Sequence, residues 1–115
     1  MHARALVLTA LGLFALTAVA GAQSELRVAV RLFQFSPGRL DVKTGTRVMW
    51  ANDDQITHTV TSGTPEGPDG RFAFTLADKG AGGSITLAQP GVYPYFCARH
   101  PHMRGEIRVQ QPSRS

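Results

Sequence analysis

From Leu26 onward the chain repeats with a period of two. Leu26, Val28, Val30 and Leu32 alternate with Arg27, Ala29 and Arg31. Leu40 and Val42 alternate with Asp41 and Lys43, and Ile85 and Leu87 with Ser84 and Thr86. Val48 and Trp50 flank Met49, Thr59-Val60-Thr61 holds three β-branched residues, and Tyr93, Tyr95 and Cys97 share one parity. Ile107 and Val109 alternate with Glu106, Arg108 and Gln110. Successive side chains on a strand point to opposite faces, so each run predicts a strand with one face in a core. Turn residues separate the runs: Ser36-Pro37-Gly38, Thr44-Gly45, Asn52-Asp53-Asp54, the glycines between 80 and 83, and Gln89-Pro90-Gly91. Short strands at this spacing predict an all-β sandwich or barrel of about seven to eight strands. The stretch from Gly63 to Gly70 is rich in Gly and Pro and predicts a surface loop. Pro94 lacks the N–H a ladder needs and marks an edge, a bulge or a missing bond. No repeat or linker divides the pattern, so one domain is expected.

The first residues follow a different rule. His2 and Arg4 precede a nearly unbroken apolar run from Ala5 to Ala20, and Ala20-Gly21-Ala22 supplies the small residues of a cleavage site. This predicts a signal peptide over 1–22 and a domain over 23–115. The competing reading is a retained anchor, because the uncharged run approaches the length of a membrane span. With cleavage, no stable membrane insertion is expected.

Composition narrows the function. The formal net charge is +4 from 12 Lys and Arg against 8 Asp and Glu. The cations are scattered, from Arg27 to Arg114, without a basic block, which argues against nucleic-acid binding. A single cysteine, Cys97, rules out an intramolecular disulfide. In an exported chain such a cysteine needs another account: intermolecular pairing, a reactive thiol or metal ligation.

Its neighbours decide. In Tyr93-Pro-Tyr-Phe-Cys97-Ala-Arg-His100-Pro-His-Met103 a thiolate, an imidazole and a thioether stand at i, i+3 and i+6. A strand ending near Cys97 and a tight loop to Met103 can aim all three at one point. A fourth donor, His58, opens the β-branched run after the Asn52 turn. Two imidazoles, one thiolate and a weak axial thioether are the donor set of an electron-transfer copper site. Such a rigid compromise between Cu(I) and Cu(II) geometries lets an electron move with little rearrangement. Four protein donors leave no open position for substrate, which argues against an enzyme. A nucleophilic Cys97 paired with His100 would leave Met103 and His58 without a role.

The segment resembles the ligand loop of cupredoxins, the type 1 blue-copper proteins, and is most similar to that of amicyanins. The shared pattern is Tyr-x-Tyr-x-Cys-x-x-His-Pro-x-Met-x-Gly, with Pro90-Gly91-x-Tyr93 leading in and Trp50-x-Asn52 upstream of His58. The resemblance implies a Greek-key β-sandwich, one copper ion held by His58, Cys97, His100 and Met103, and one-electron transport in the periplasm. It implies that Asn52 ties the His58 loop to the Cys97 loop. It also implies a monomer with transient redox partners: a dehydrogenase or other donor, and a c-type cytochrome or reductase as acceptor.

Three positions depart from the amicyanin pattern. Arg99 stands where Pro is usual and offers an N–H that could reach the Cys97 sulfur. Ala98 lacks the hydroxyl common after the cysteine. His102 replaces an apolar residue, and a solvated ring pointing away from the metal is expected there. The alternative function is a periplasmic copper carrier that delivers the ion to a partner, with the same donors on a more exchangeable site.

Overall fold

The computed structural model describes residues 24–112, in which nine strands form two sheets. The predicted signal peptide, 1–22, lies outside the described residues. The strands are β1 (Glu25–Arg31), β2 (Gln34–Ser36), β3 (Arg39–Lys43), β4 (Arg47–Asn52), β5 (His58–Thr64), β6 (Gly67–Leu76), β7 (Gly82–Thr86), β8 (Gly91–Phe96) and β9 (Arg104–Gln110). One sheet runs β2-β1-β4-β7 and the other β3-β9-β8-β5-β6. The chain therefore crosses between the sheets repeatedly. β1 with β4 and β3 with β9 pair in parallel, and the other neighbours pair antiparallel. The expected all-β sandwich is present. Among the described residues no helix is long and apolar enough to cross a membrane.

The period-two pattern becomes the space between the sheets. Val28 and Val30 of β1, Leu40 and Val42 of β3, Val48 and Trp50 of β4, and Ile107 and Val109 of β9 are all buried, while their sequence neighbours turn outward. Each such side chain contributes roughly 1.5–3 kcal/mol by leaving water. Trp50 sits at the centre, edge-on to Phe74 and Tyr95. Phe35 is buried against Tyr95.

The stretch from Gly63 to Gly70 is not a loop. Its residues end β5 and begin β6, with Thr64 opposite Gly67 and only Pro65-Glu66 between them. The glycines serve the strand pairing. The register slips between Thr61 and Gly63, and Gly63 takes φ 101° with the backbone of Gly67, Pro68 and Asp69 occupying the space a Cβ would need. Gly here permits a bulge that a side chain would block.

Strand directions define two poles. β1, β4, β6 and β8 run toward one pole, and β2, β5, β7 and β9 start from it. The connections at that pole are Leu32-Phe33, residues 53–57, residues 77–81 and residues 97–103. The other pole holds Glu25 beside Arg47 and Gln110 beside Lys43. Both ends of the described domain therefore leave from the pole opposite residues 97–103.

The turn between β1 and β2 has only two residues, because Arg31 pairs with Gln34. Leu32 has φ 52° and Phe33 φ 57°. Both are left-handed, as two-residue hairpin turns of this kind require, but the positions normally suit Asn and Gly. For L-residues the conformation costs roughly 1–2 kcal/mol each. Something nearby must hold it.

Candidate metal centre

His58, Cys97 and His100 converge at the first pole, with one ligating atom of each within 4.8 Å of the others. Cys97 Sγ lies 3.7 Å from His58 Nδ1 and 3.7 Å from His100 Nδ1. These spacings fit a metal centre. Metal–imidazole and metal–thiolate bonds of about 2.1 and 2.3 Å, about 120° apart, would set nitrogen and sulfur about 3.8 Å apart. The sequence-derived trio is therefore brought together.

The loop that supplies two of these donors is wound tightly. His100 N–H donates to Cys97 O at 3.2 Å, Met103 N–H to His100 O at 2.9 Å, and Cys97 N–H to Met103 O at 3.1 Å. The three bonds interlock residues 97, 100 and 103 and turn Met103 inward, where it is buried. His58 and Cys97 are fully buried and His100 is only half-buried, so His100 is the donor nearest solvent, as its place on the loop predicts. Loss of solvation, together with the charges of His58, His102 and Arg99, holds the His100 imidazole below its ordinary range. That favours the neutral form, which ligates.

Three further residues complete the centre, and the ligand motif does not reveal them. Thr59 follows His58 on β5; its N–H donates to Cys97 Sγ at 3.3 Å, and its hydroxyl accepts from Ala98 N–H at 2.7 Å. Among the described residues the sulfur takes no bond from the Arg99 N–H, so the donor suggested by the Arg99 position is Thr59 instead. The strand next to the loop already presents an N–H there. Asp54 bonds His58: Nε2 and Oδ2 are 2.7 Å apart. A carboxylate of this kind only accepts, so Nε2 carries the proton and Nδ1 presents its lone pair toward Cys97 and His100. Partial burial opposes ionisation of Asp54, but bonds from His58, Leu32 N–H and Phe33 N–H outweigh it and hold the carboxyl below its usual range. Phe33 lies against His58 and His100 edge-on, with centroids 5.7 and 5.1 Å apart.

Asn52 does not tie the His58 loop to the Cys97 loop. Its side chain donates to Ile56 O and Leu76 O and accepts from Asp54 N–H, which fixes the 53–57 connection against β6. Without a hydroxyl at Ala98, the bridge between the two loops falls to Thr59. His102 is exposed, as expected, and its ring stacks on Phe33 at 6.4 Å.

Comparison with known proteins agrees with this geometry. Residues 22–110 match the family of copper binding proteins described as plastocyanin/azurin. The chain is 28% identical to an amicyanin of Paracoccus versutus over 83 residues, which are 72% of this chain and 63% of that protein. It thus spans less than two thirds of that relative's length. It is 31% identical to a plastocyanin of Scenedesmus fuscus over 84 residues, 66% of this chain and 86% of that one. Among solved structures, a purple cupredoxin from Nitrosopumilus maritimus superposes with TM-score 0.66 at 26% identity, covering 73% of this chain and 98% of the other. A reduced tryptophan-to-tyrosine variant of amicyanin gives 0.66 at 28%, covering 77% and 85%.

Proposed function

Since the chain belongs to the copper-binding plastocyanin/azurin family, we propose that it is a periplasmic blue-copper electron carrier whose ion is held by His58, Cys97, His100 and Met103. The observation that supports the reading most is the thiolate sulfur set 3.7 Å from two imidazole nitrogens. Bound copper would supply a reversible one-electron Cu(II)/Cu(I) couple.

The protein's part is to fix the donors. Cys97 offers a thiolate steadied by the Thr59 N–H. His58 is locked in one tautomer by Asp54. His100 is aimed by the backbone bonds of its own loop. Met103, buried at the end of that loop, would supply a weak thioether donor. His58 at the start of β5 and a loop pinned by three backbone bonds limit rearrangement between oxidation states, which suits electron transfer better than hand-off of the ion. His100, the half-buried donor, offers the exit for the electron. Partners would be redox proteins, a dehydrogenase or other donor and a cytochrome or reductase acceptor, meeting the protein through a small transient contact. The apolar run ahead of Ala22 supports export.

Addition of Cu(II) to the purified, reduced protein tests the assignment. An intense blue absorption is expected, lost in Cys97→Ser and retained with an altered spectrum in Met103→Gln. A colourless wild-type protein, with its thiol intact, would overturn it.

A further inference from the structure

The carboxylate of Asp54 does two jobs at once. Oδ2 lies 2.7 Å from His58 Nε2, inside the centre. The same group accepts the Leu32 N–H at 2.8 Å and the Phe33 N–H at 3.2 Å, at the tip of the β1–β2 hairpin. The tip is the more exposed partner: Leu32 is 73% exposed and Phe33 44%.

Neither half is incidental. Two successive N–H groups in a left-handed turn converge on one point and form a cradle for an anion. Asp54 fills that cradle, which explains how Leu and Phe persist where Asn and Gly are expected. His58 is fully buried, so without Asp54 its Nε2 proton would be left unpaired. Asp54 is itself aimed, because its N–H donates to the buried Asn52 Oδ1 at 2.9 Å. Once the tip is held, the Phe33 ring falls across His58, His100 and His102.

We propose that Asp54 is a positioning residue that couples the exposed Leu32-Phe33 tip to the buried imidazole of His58, so that the tip's conformation and the ligand's basicity depend on one carboxylate. The proposal rests on His58 being a ligand only for its electronic half. The mechanical half belongs to the protein without metal.

The test uses Asp54→Ala, Asp54→Asn and Asp54→Glu in the purified protein. In the metal-free state, amide hydrogen exchange at Leu32 and Phe33 is followed by NMR, with Val28 and Val30 on β1 as controls for the fold. Loss of two bonds to a charged acceptor should speed exchange at both tip amides by about tenfold or more in Asp54→Ala, with the controls unchanged. Asp54→Asn, which keeps one carbonyl acceptor, should fall between, and Asp54→Glu should restore part of the protection. In the copper-loaded protein, the reduction potential should rise in Asp54→Ala, because an imidazole without an anionic partner stabilises Cu(II) less. Tip amides that stay protected in Asp54→Ala would overturn the proposal, as would a potential that does not rise. A wild-type protein that fails to bind copper would instead overturn the ligand assignment and leave the exchange test standing.

Discussion

At the scale of single residues, Thr59 joins the two halves of the centre. Its N–H and its hydroxyl grip the Cys97 sulfur and the Ala98 amide, 38 and 39 residues further along the chain. Thr59→Val keeps the shape and the N–H but removes the acceptor for Ala98. An amide stripped of its partner costs about 1 kcal/mol. The melting temperature of the metal-free protein should drop by about 4–8 °C, the shift such a loss gives in a domain of this size, and Thr59→Ser should recover most of it. An unchanged melting temperature in Thr59→Val would show that solvent satisfies Ala98 equally well. Legibility at this scale divides along the same line. Cys97, His100 and Met103 could be read from spacing within seven consecutive positions. Thr59 and Phe33 could not, because the bonds of Thr59 cross 38 and 39 residues of chain and Phe33 reaches His58 and His100 from the distant β1–β2 turn. One signal for Asp54 was present: a carboxylate four residues before the candidate ligand His58, inside a cluster that reads equally well as a turn.

At the scale of elements, alternation placed most strands and missed those whose faces are not simply apolar and polar. β6 begins Gly-Pro-Asp-Gly, which has the composition of a turn, yet it pairs with β5 around a bulge. β2 is three residues long and offers too little pattern to read. Pairing partners were not legible either, since no local rule sets β1 in parallel beside β4. The pairing of β8 with β9 explains one glycine that sequence leaves ambiguous. Tyr95 lies opposite Gly105, and its ring and hydroxyl cover the space a Cβ would need. That hydroxyl is deeply buried, which pushes the Tyr95 pKa up to about 12. Gly105→Ala should therefore destabilise the protein by about 1–3 kcal/mol, the ordinary cost of overpacking. Gly67→Ala, with only the Thr64 hydroxyl nearby, is the matched control and should change little. Chemical denaturation of both variants decides the point, and equal midpoints would count against the packing argument.

At the scale of the whole molecule, the His100 imidazole and two carboxylates far apart in the fold set the response to acid. Asp69 is held below its usual range by the Ser62 hydroxyl and the Arg71 N–H, at the bulged end of β5–β6. Asp54 is held down at the ligand pole. A carboxyl depressed in the folded state adds stability above its unfolded pKa of about 3.9, and that stability is lost as pH falls through the folded value. The metal-free protein should begin to lose stability as pH falls through about 6.5, because folding holds the His100 imidazole below its ordinary range, and should lose more below about pH 4 as the two carboxyls protonate. Asp69→Asn should be less stable than wild type at neutral pH, and the gap should close under acid. A gap that is constant with pH would show that ionisation of Asp69 does not matter.

The two poles have a consequence for how this protein can be wired. Any tether attached ahead of Glu25 or beyond Gln110, whether a lipid anchor, a fused domain or a linker to an electrode, leaves from the face remote from His100. About 20 Å of sheet, the length of a six-residue strand, lies between the attachment and the loops at the far end. A molecule on a short tether therefore presents its His100 end outward by construction. Lengthening a flexible leash widens the volume it searches and frees that end to turn.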